Sequence, residues 1–343
     1  MKFKVSKQEL KFLVIVAAAL MIWLSWVGVV YVSGDTSFDW SSQLNHQTRY
    51  FLPRLLDGRP VDPADTKLRP LGVMIENHLD ARPPAGLDQA SIVYEAIVES
   101  DITRFLALFD RKISIERIGP IRSVRPFFIE LAEEYKAVLF HSGGSQDATY
   151  KLTYSPVVNV DDVSPDTIYF QRDPRRSAPH NLYLLPDGIN RALEAKHVSP
   201  EADFRPWLFK KDQPSQSPTA PMVKIDFAAN SDYNVTYQYN PQSNDYSRFI
   251  GGQSQKTEAG IILKAKNIVV LHTTARLLDS YGRLQVGIKG QGPVQIYQDG
   301  NVVYGRREKI DSRTIFYDQN DQEVKFNHGQ IWVEIIYDNF PKL

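Results

Sequence analysis

The chain contains no cysteine. That absence excludes disulfide scaffolds, thiolate metal sites, iron–sulfur clusters, thiol catalysis and lipid attachment through a Cys. It has no excess of either charge: 40 Lys and Arg balance 40 Asp and Glu. A protein that coats nucleic acid shows a basic excess, so nucleic acid is not expected as a partner. No Gly-Lys-Ser/Thr follows a glycine-rich turn and no G-x-S-x-G elbow is present, so neither a phosphate loop nor a serine-hydrolase nucleophile is indicated. His78, His141 and His180 with Glu76 would make a metal site if the fold joined them, but the histidines lie far apart and match no known ligand spacing, so no metal and no cofactor is assigned. What is there is a globular composition, 43% apolar and 23% charged over 343 residues, a length suited to about two domains.

One long apolar run stands out. Residues 12–32 carry no charge over 21 residues, enough for a helix of roughly 30 Å, the thickness of a hydrocarbon core. Lys2, Lys4, Lys7 and Lys11 precede it, whereas residues 33–48 hold no Lys or Arg. The positive-inside rule then leaves residues 1–11 in the cytoplasm and everything after the anchor outside. A cleaved signal peptide is the rival reading. It would have a shorter apolar region and a clearer small-residue site after it.

Beyond the anchor, residues 33–68 read as a polar, proline-containing stalk. Residues 69–209 alternate strand and helix patterns and predict an α/β (α+β) layer domain. Its strands are expected at 70–76, 91–98, 102–109 and 137–141, the middle pair forming a hairpin across Glu99-Ser100-Asp101. Helices are expected over 126–136 and 186–196, each with Pro at its first turn. A Pro/Ser-rich linker at 210–220 marks a boundary. Residues 221–343 show short β runs separated by turn signals such as Asp299-Gly300-Asn301, which predicts a smaller all-β sandwich or barrel.

Several motifs recur in a family-like order: GVMIENH (72–78), ARPPAGL (81–87), SIVYEAIVE (91–99), ITRF (102–105), IGPIRSVRPF (118–127), HSGGS (141–145), PHNLY (179–183), KNIVVL (266–271), GQGPVQIYQDG (290–300) and QIWVEIIYD (330–338). In combination they are specific, and the chain resembles the YerB-like family of bacterial envelope proteins from about Leu56 to its end. The resemblance implies export and a two-domain build, an α/β-like part followed by a smaller β part, and supplies no activity. Two departures are visible. The lipobox Cys of lipoprotein members is missing, with an apolar anchor in its place. Ser100-Asp101 stands where a Gly pair is expected before ITRF.

The strongest site-like feature is the loop 118–125 leading into the helix at Pro126. Arg122 and Arg125, flanking Ser123, sit beside a positive helix end, where like charge is unfavourable unless an anion is near. That anion is either a ligand or a carboxylate of the chain, with Glu95, Glu99 and Glu130 as internal partners. Next comes His141 running into Gly143, Gly144 and Ser145, where two glycines after a strand let backbone N–H groups approach a ligand. An ordinary tight turn is the plain alternative. Glu76, Asn77 and His78 end the first strand, followed by Arg82 before two prolines. Glu95 lies among aliphatics on its strand, with Arg104 as its expected partner, and Glu76 with Glu95 would be an acid–base couple if they met. His180 and Asn181 order a turn after Arg172, Arg175 and Arg176.

These features predict a single-pass membrane protein of the bacterial cell envelope, held in the membrane by residues 12–32. Its outer part reads as a binding or scaffold module, taking an anionic cell-wall ligand or an envelope protein at the Arg/Gly loops. The alternative is an enzyme acting on an anionic envelope polymer or lipid-linked precursor, with Glu76, Glu95 or His141 moving protons. No catalytic motif is complete.

Overall fold

The structure, a computed structural model, describes residues 16–21, 50–164, 168–227, 229, 231–280 and 282–339. Residues 16–21 are helical. The rest of the anchor at 12–32, and the stalk as far as residue 49, lie outside the described residues. Among the described residues no helix is long and apolar enough to cross a membrane. The chain divides into two units, 1–49 and 50–343, and the second holds the fold that follows.

Its frame is one ten-stranded mixed sheet. The first half of the chain supplies β1 (Leu71–Glu76), β2 (Ile92–Glu99), β3 (Ile102–Phe109), β4 (Val138–His141) and β5 (Asn159–Asp161). β6 (Phe170–Arg172) and β7 (Leu182–Leu184) form a separate ribbon. In the second half, β8 (Met222–Ile225), β9 (Val235–Asn240) and β10 (Asp245–Ile250) build a smaller antiparallel sheet with the short strands Gln253–Ser254 and Lys264–Ala265. β11 (Asn267–Thr273) returns to the large sheet, and β12 (Ala275–Leu277) and β13 (Leu284–Val286) form a hairpin. β14 (Gln291–Gln298), β15 (Asn301–Ile310), β16 (Arg313–Asp318) and β17 (Ile331–Tyr337) complete the large sheet, in the order β16-β15-β14-β11-β17-β2-β3-β1-β4-β5.

The expected strands and hairpin of the first half are present, as are its helices α1 (Pro126–Glu133) and α3 (Pro186–Ala195) with Pro at the first turn. α2 (Gln146–Leu152) follows the glycine loop. β1 is buried at every position, as a strand covered on both faces must be, and its unbroken apolar run is the sequence form of that burial. The second half is β among the described residues apart from one 3-10 turn at Ser231–Tyr233. The separate sandwich or barrel is corrected in one respect. β11 and β17 pair in parallel, and β17 pairs in parallel with β2, so the two halves share a sheet. β17 is buried on nearly every residue and reaches that burial only between strands of both halves.

Two segments read as connectors are also packed down. In the stalk region Leu56 and Asp57 are buried, and Arg54 Nε donates to Asp57 Oδ1 at 2.9 Å. The 210–220 linker is tied to the β14–β15 turn, with Ser215 N donating to the Asp299 carbonyl at 3.0 Å and Ala220 N to the Gly300 carbonyl at 2.9 Å.

The β2–β3 turn stores conformational strain. Ser100 and Asp101 have φ of 45° and 61°, the left-handed pair of a primed hairpin turn, which Asn-Gly suits best. Asp299-Gly300 makes the same kind of turn at φ 56° and 79° with Gly in second place. A Ser100→Asn/Asp101→Gly variant is expected to gain about 1 kcal/mol, because Gly removes the Cβ clash at the second position and Asn tolerates the left-handed region at the first. An unchanged or lower urea midpoint would refute this.

Candidate functional site

The site forms where the C-terminal ends of β1 and β4 meet the loop 118–125. That loop runs along β1, with Glu76 N donating to the Pro120 carbonyl at 2.9 Å and Arg122 N to the Met74 carbonyl at 3.0 Å. It also pairs with the glycine loop: Ser142 N donates to the Arg122 carbonyl at 3.1 Å and Val124 N to the Gly143 carbonyl at 3.0 Å. The arginine loop and the glycine loop, 20 residues apart in sequence by this contact, are therefore one structure.

Strand register decides which side chains share it. Glu76 lies opposite Arg104 on β3, and Glu95 lies opposite Phe105. Neighbouring residues of a strand point to opposite faces, so Glu76 and Glu95 face opposite sides of the sheet and form no acid–base couple. A bulge between Ile97 and Glu99 then turns Glu99 onto the Arg104 face, away from Glu95.

On the Glu76 face, three arginines meet two glutamates. Arg122 Nε donates to Glu76 Oε1 at 2.9 Å. Arg104 Nη2 donates to Glu99 Oε1 at 3.0 Å and its Nη1 to the Ser123 carbonyl at 2.7 Å. Arg125 Nε donates to Glu99 Oε2 at 3.0 Å, so a carboxylate of the chain neutralises the arginine that precedes α1. Burial pushes the Glu99 carboxyl up, and the charges of Arg104 and Arg125 outweigh it and hold it below the usual range. Arg104 is pushed down to about 10, first by burial and then by the charge of Arg125. One positive charge is left over. Arg122 sits at the rim with its side chain 30% exposed. No described residue accepts from its two terminal nitrogens.

His180 enters from the PHNLY segment before β7. Its Nδ1 is 3.0 Å from Glu76 Oε2, and its ring stacks on His78 at 4.9 Å between centroids and 14° between planes. Asp80, in the 3-10 turn Leu79–Ala81 that His78 caps, brings Oδ2 to 3.5 Å from His78 Nδ1 and 3.9 Å from His180 Nε2. Asn181 is a turn residue, accepting from Arg172 Nη1 at 2.9 Å and donating to the Asp173 and Arg176 carbonyls.

The remaining sequence candidates have structural partners. Gly143 N donates to Asp161 Oδ1 at 2.7 Å, and Ser145 caps α2 by accepting from Ala148 N at 3.3 Å. A Cβ added at Gly144 would lie 3.2 Å from Val124 Cγ1, so a side chain there would press on the loop. His141 is buried, with Nδ1 2.9 Å from the Gly143 carbonyl and Nε2 3.3 Å from Asn159 Oδ1. Arg82 spans to the second half: its Nε donates to Asn77 Oδ1 at 3.2 Å, its Nη1 to the Asp232 carbonyl at 2.9 Å, and it lies 4.9 Å over the Tyr233 ring.

Glu95 belongs to a sealed cluster on the other face. The expected partner Arg104 is corrected to Arg248 of β10, which forms an ion pair with it, both side chains being wholly buried. Asn77 Nδ2 and Thr103 Oγ1 also donate to Glu95 Oε1, at 3.0 and 2.6 Å. Glu334 of β17 lies directly opposite Glu95 and accepts from the Tyr237 hydroxyl. Burial, then the charge of Glu95, hold the Glu334 carboxyl well above the usual range. Sequence reasoning missed Arg248, Tyr237, Glu334 and Asp80. For Asp80 there was a usable signal, its i+2 spacing from His78 beyond a strand end.

Fold and site together define a mixed α+β protein with a polar cluster at strand ends and two segments joined in one sheet. Residues 56–199 match the family model "Protein of unknown function (DUF3048) N-terminal domain", and residues 223–333 match the corresponding C-terminal domain. The chain belongs to this family, the YerB-like one that its motifs resemble. It is 29% identical over 285 residues to a Bacillus subtilis (strain 168) protein named "Putative lipoprotein YerB", covering 82% of this chain and 86% of that protein. The crystal structure of YerB protein from Bacillus subtilis superposes with a TM-score of 0.77 at 28% identity, over 84% of this chain and 97% of that one.

Proposed function

We propose that this is a membrane-anchored, extracytoplasmic protein of the bacterial cell envelope that binds an anionic wall ligand or partner at Arg122. The charge-flanked apolar run at 12–32 and the lipoprotein name of the relative support the location. The observation that carries the binding role is Arg122 itself. Glu76 fixes its Nε, and two terminal nitrogens remain to donate to a carboxylate or phosphate in the planar, bidentate manner of guanidinium.

The test is co-sedimentation of the full-length protein, in detergent, with purified cell-wall material. Arg122→Ala should weaken binding about 10- to 100-fold, the size of a lost charge-assisted contact, with an unchanged circular dichroism spectrum. Equal binding by the variant would refute the assignment. An enzyme is the second reading, favoured by the Glu76–His180 pair, a carboxylate-oriented imidazole of the kind that moves protons. Soluble product that appears with the native chain and not with Glu76→Gln would select it.

A further inference from the structure

Beside the arginines, the same corner of the fold gathers two imidazoles and a carboxylate whose ligand atoms lie within 4.8 Å of one another: His78, Asp80 and His180. We propose that these three residues bind one divalent transition-metal ion of the zinc class, with Glu76 as the positioning residue for His180.

Donor chemistry supports this class of ion. Two imidazole nitrogens and one carboxylate oxygen suit zinc and its first-row neighbours, whereas calcium and magnesium take oxygen ligands. The second layer of the site is already built. A ligating histidine characteristically donates its other ring N–H to a carboxylate, which fixes tautomer and ring orientation. His180 does this with Nδ1 to Glu76 Oε2 at 3.0 Å, and Arg122 Nε holds the other oxygen of that carboxylate at 2.9 Å. His180 Nε2 is thereby left as the lone-pair nitrogen, and it is the one 3.9 Å from Asp80 Oδ2.

Around a tetrahedral zinc, ligand atoms bound at about 2.1 Å stand roughly 3.4 Å apart. The widest pair, up to 4.8 Å apart, must therefore close by about 1.4 Å at most. They are free to do so: Asp80 is 71% and His78 33% exposed, and the weak 3.2 Å bond from Asp80 N to His78 Nδ1 is the contact that gives way. Asp80 offsets one of the ion's two charges, and the charge that remains suits an anion or hydroxide at the open position. Three protein ligands leave a position open for water or an anion. The metal site stands independently of the anion-binding reading, since Arg122→Ala should bind the ion even where it no longer binds wall material.

The experiment titrates metal-stripped full-length protein, in detergent, with ZnCl2 by calorimetry, and with CoCl2 while recording the visible spectrum. One equivalent of zinc and an intense cobalt absorption band are expected, with no saturable uptake of Mg2+ or Ca2+. His78→Ala, Asp80→Asn and His180→Ala should each weaken zinc binding about 100-fold or more and abolish the cobalt band. Glu76→Gln should weaken it about 10- to 100-fold. His272→Ala, a half-exposed histidine paired with Asp338 elsewhere, should bind as the native chain does. Asp80→Asn, at an exposed position, keeps the test valid if a histidine variant misfolds. No saturable zinc binding by the native chain, or binding by Asp80→Asn equal to native, overturns the proposal.

Discussion

Replacing Arg248 by Met is expected to cost about 3–5 kcal/mol of folding stability, read as a fall in urea midpoint, because it leaves a buried carboxylate without its counter-ion. Arg248 is fully buried. Its Nε donates to the Tyr237 hydroxyl at 2.9 Å, its terminal nitrogens bond Glu95 and Gln255, and its guanidinium lies 4.3 Å over the Trp332 ring. Burial disfavours that charge, and the nearby Glu95 outweighs it, holding Arg248 above its ordinary value. Without Arg248, Glu95 loses its counter-ion and keeps the hydrogen bonds from Asn77 and Thr103. An Arg248→Met/Glu95→Leu double variant removes both charges and should recover most of the loss, as replacing a whole buried pair by apolar side chains often does. A loss below about 1 kcal/mol in the single variant, or strictly additive losses in the double, would show that the two residues do not act as a pair.

Glu334→Gln should remove a loss of stability that the native chain suffers as pH rises. The Glu334 carboxyl is raised in the fold, so the folded chain keeps a proton that the unfolded chain gives up above its ordinary value of 4.5. Stability from this group is complete below that value and falls as pH climbs toward the folded one. Each unit crossed costs about 1.4 kcal/mol. Gln can accept from Tyr237 and needs no proton, so the variant should gain on the native chain steadily from pH 5 upward. On the acid side the order reverses. Glu99, Asp57 and Asp299 are lowered despite burial, by Arg104 and Arg125, by Arg54, and by Lys210 respectively. Their contribution is present above the ordinary carboxylate range and lost below it, in both chains alike. Melting temperatures of the two proteins from pH 3 to 8 should converge in acid and diverge above about pH 5. Parallel curves throughout would contradict the assignment.

The local parts of this fold were legible because short-range rules set them. Period and punctuation gave β1 to β4, the β2–β3 hairpin, and two helices opened by proline. The arginine and glycine loops were recognisable as well, since charge beside a helix start and two glycines after a strand are both unusual. What the residues could not reveal was set at long range. Glu95 finds Arg248 at a separation of 153 residues, and nothing near Glu95 names that partner. Strict alternation put Glu99 on the face of Glu95, and one extra residue in the ladder moved it to the face of Arg104. His78 and His180 could be grouped only as one candidate metal set without a ligand spacing, because only the tertiary fold stacks their rings.

The placement of β17 has a consequence for how the chain is made. It lies in the middle of the large sheet, flanked on both sides by parallel partners, yet it follows every other strand of that sheet in chain order. Until residue 337 emerges, β2 and β11 each present an unpaired edge, and a nascent chain with open edges is prone to wrong pairings. Assembly of the sheet therefore waits for the synthesis of β17. A product that stops short of residue 331 lacks the keystone of the sheet rather than its fringe, so truncated chains should be cleared by proteolysis as unfolded material, with no half-length version surviving.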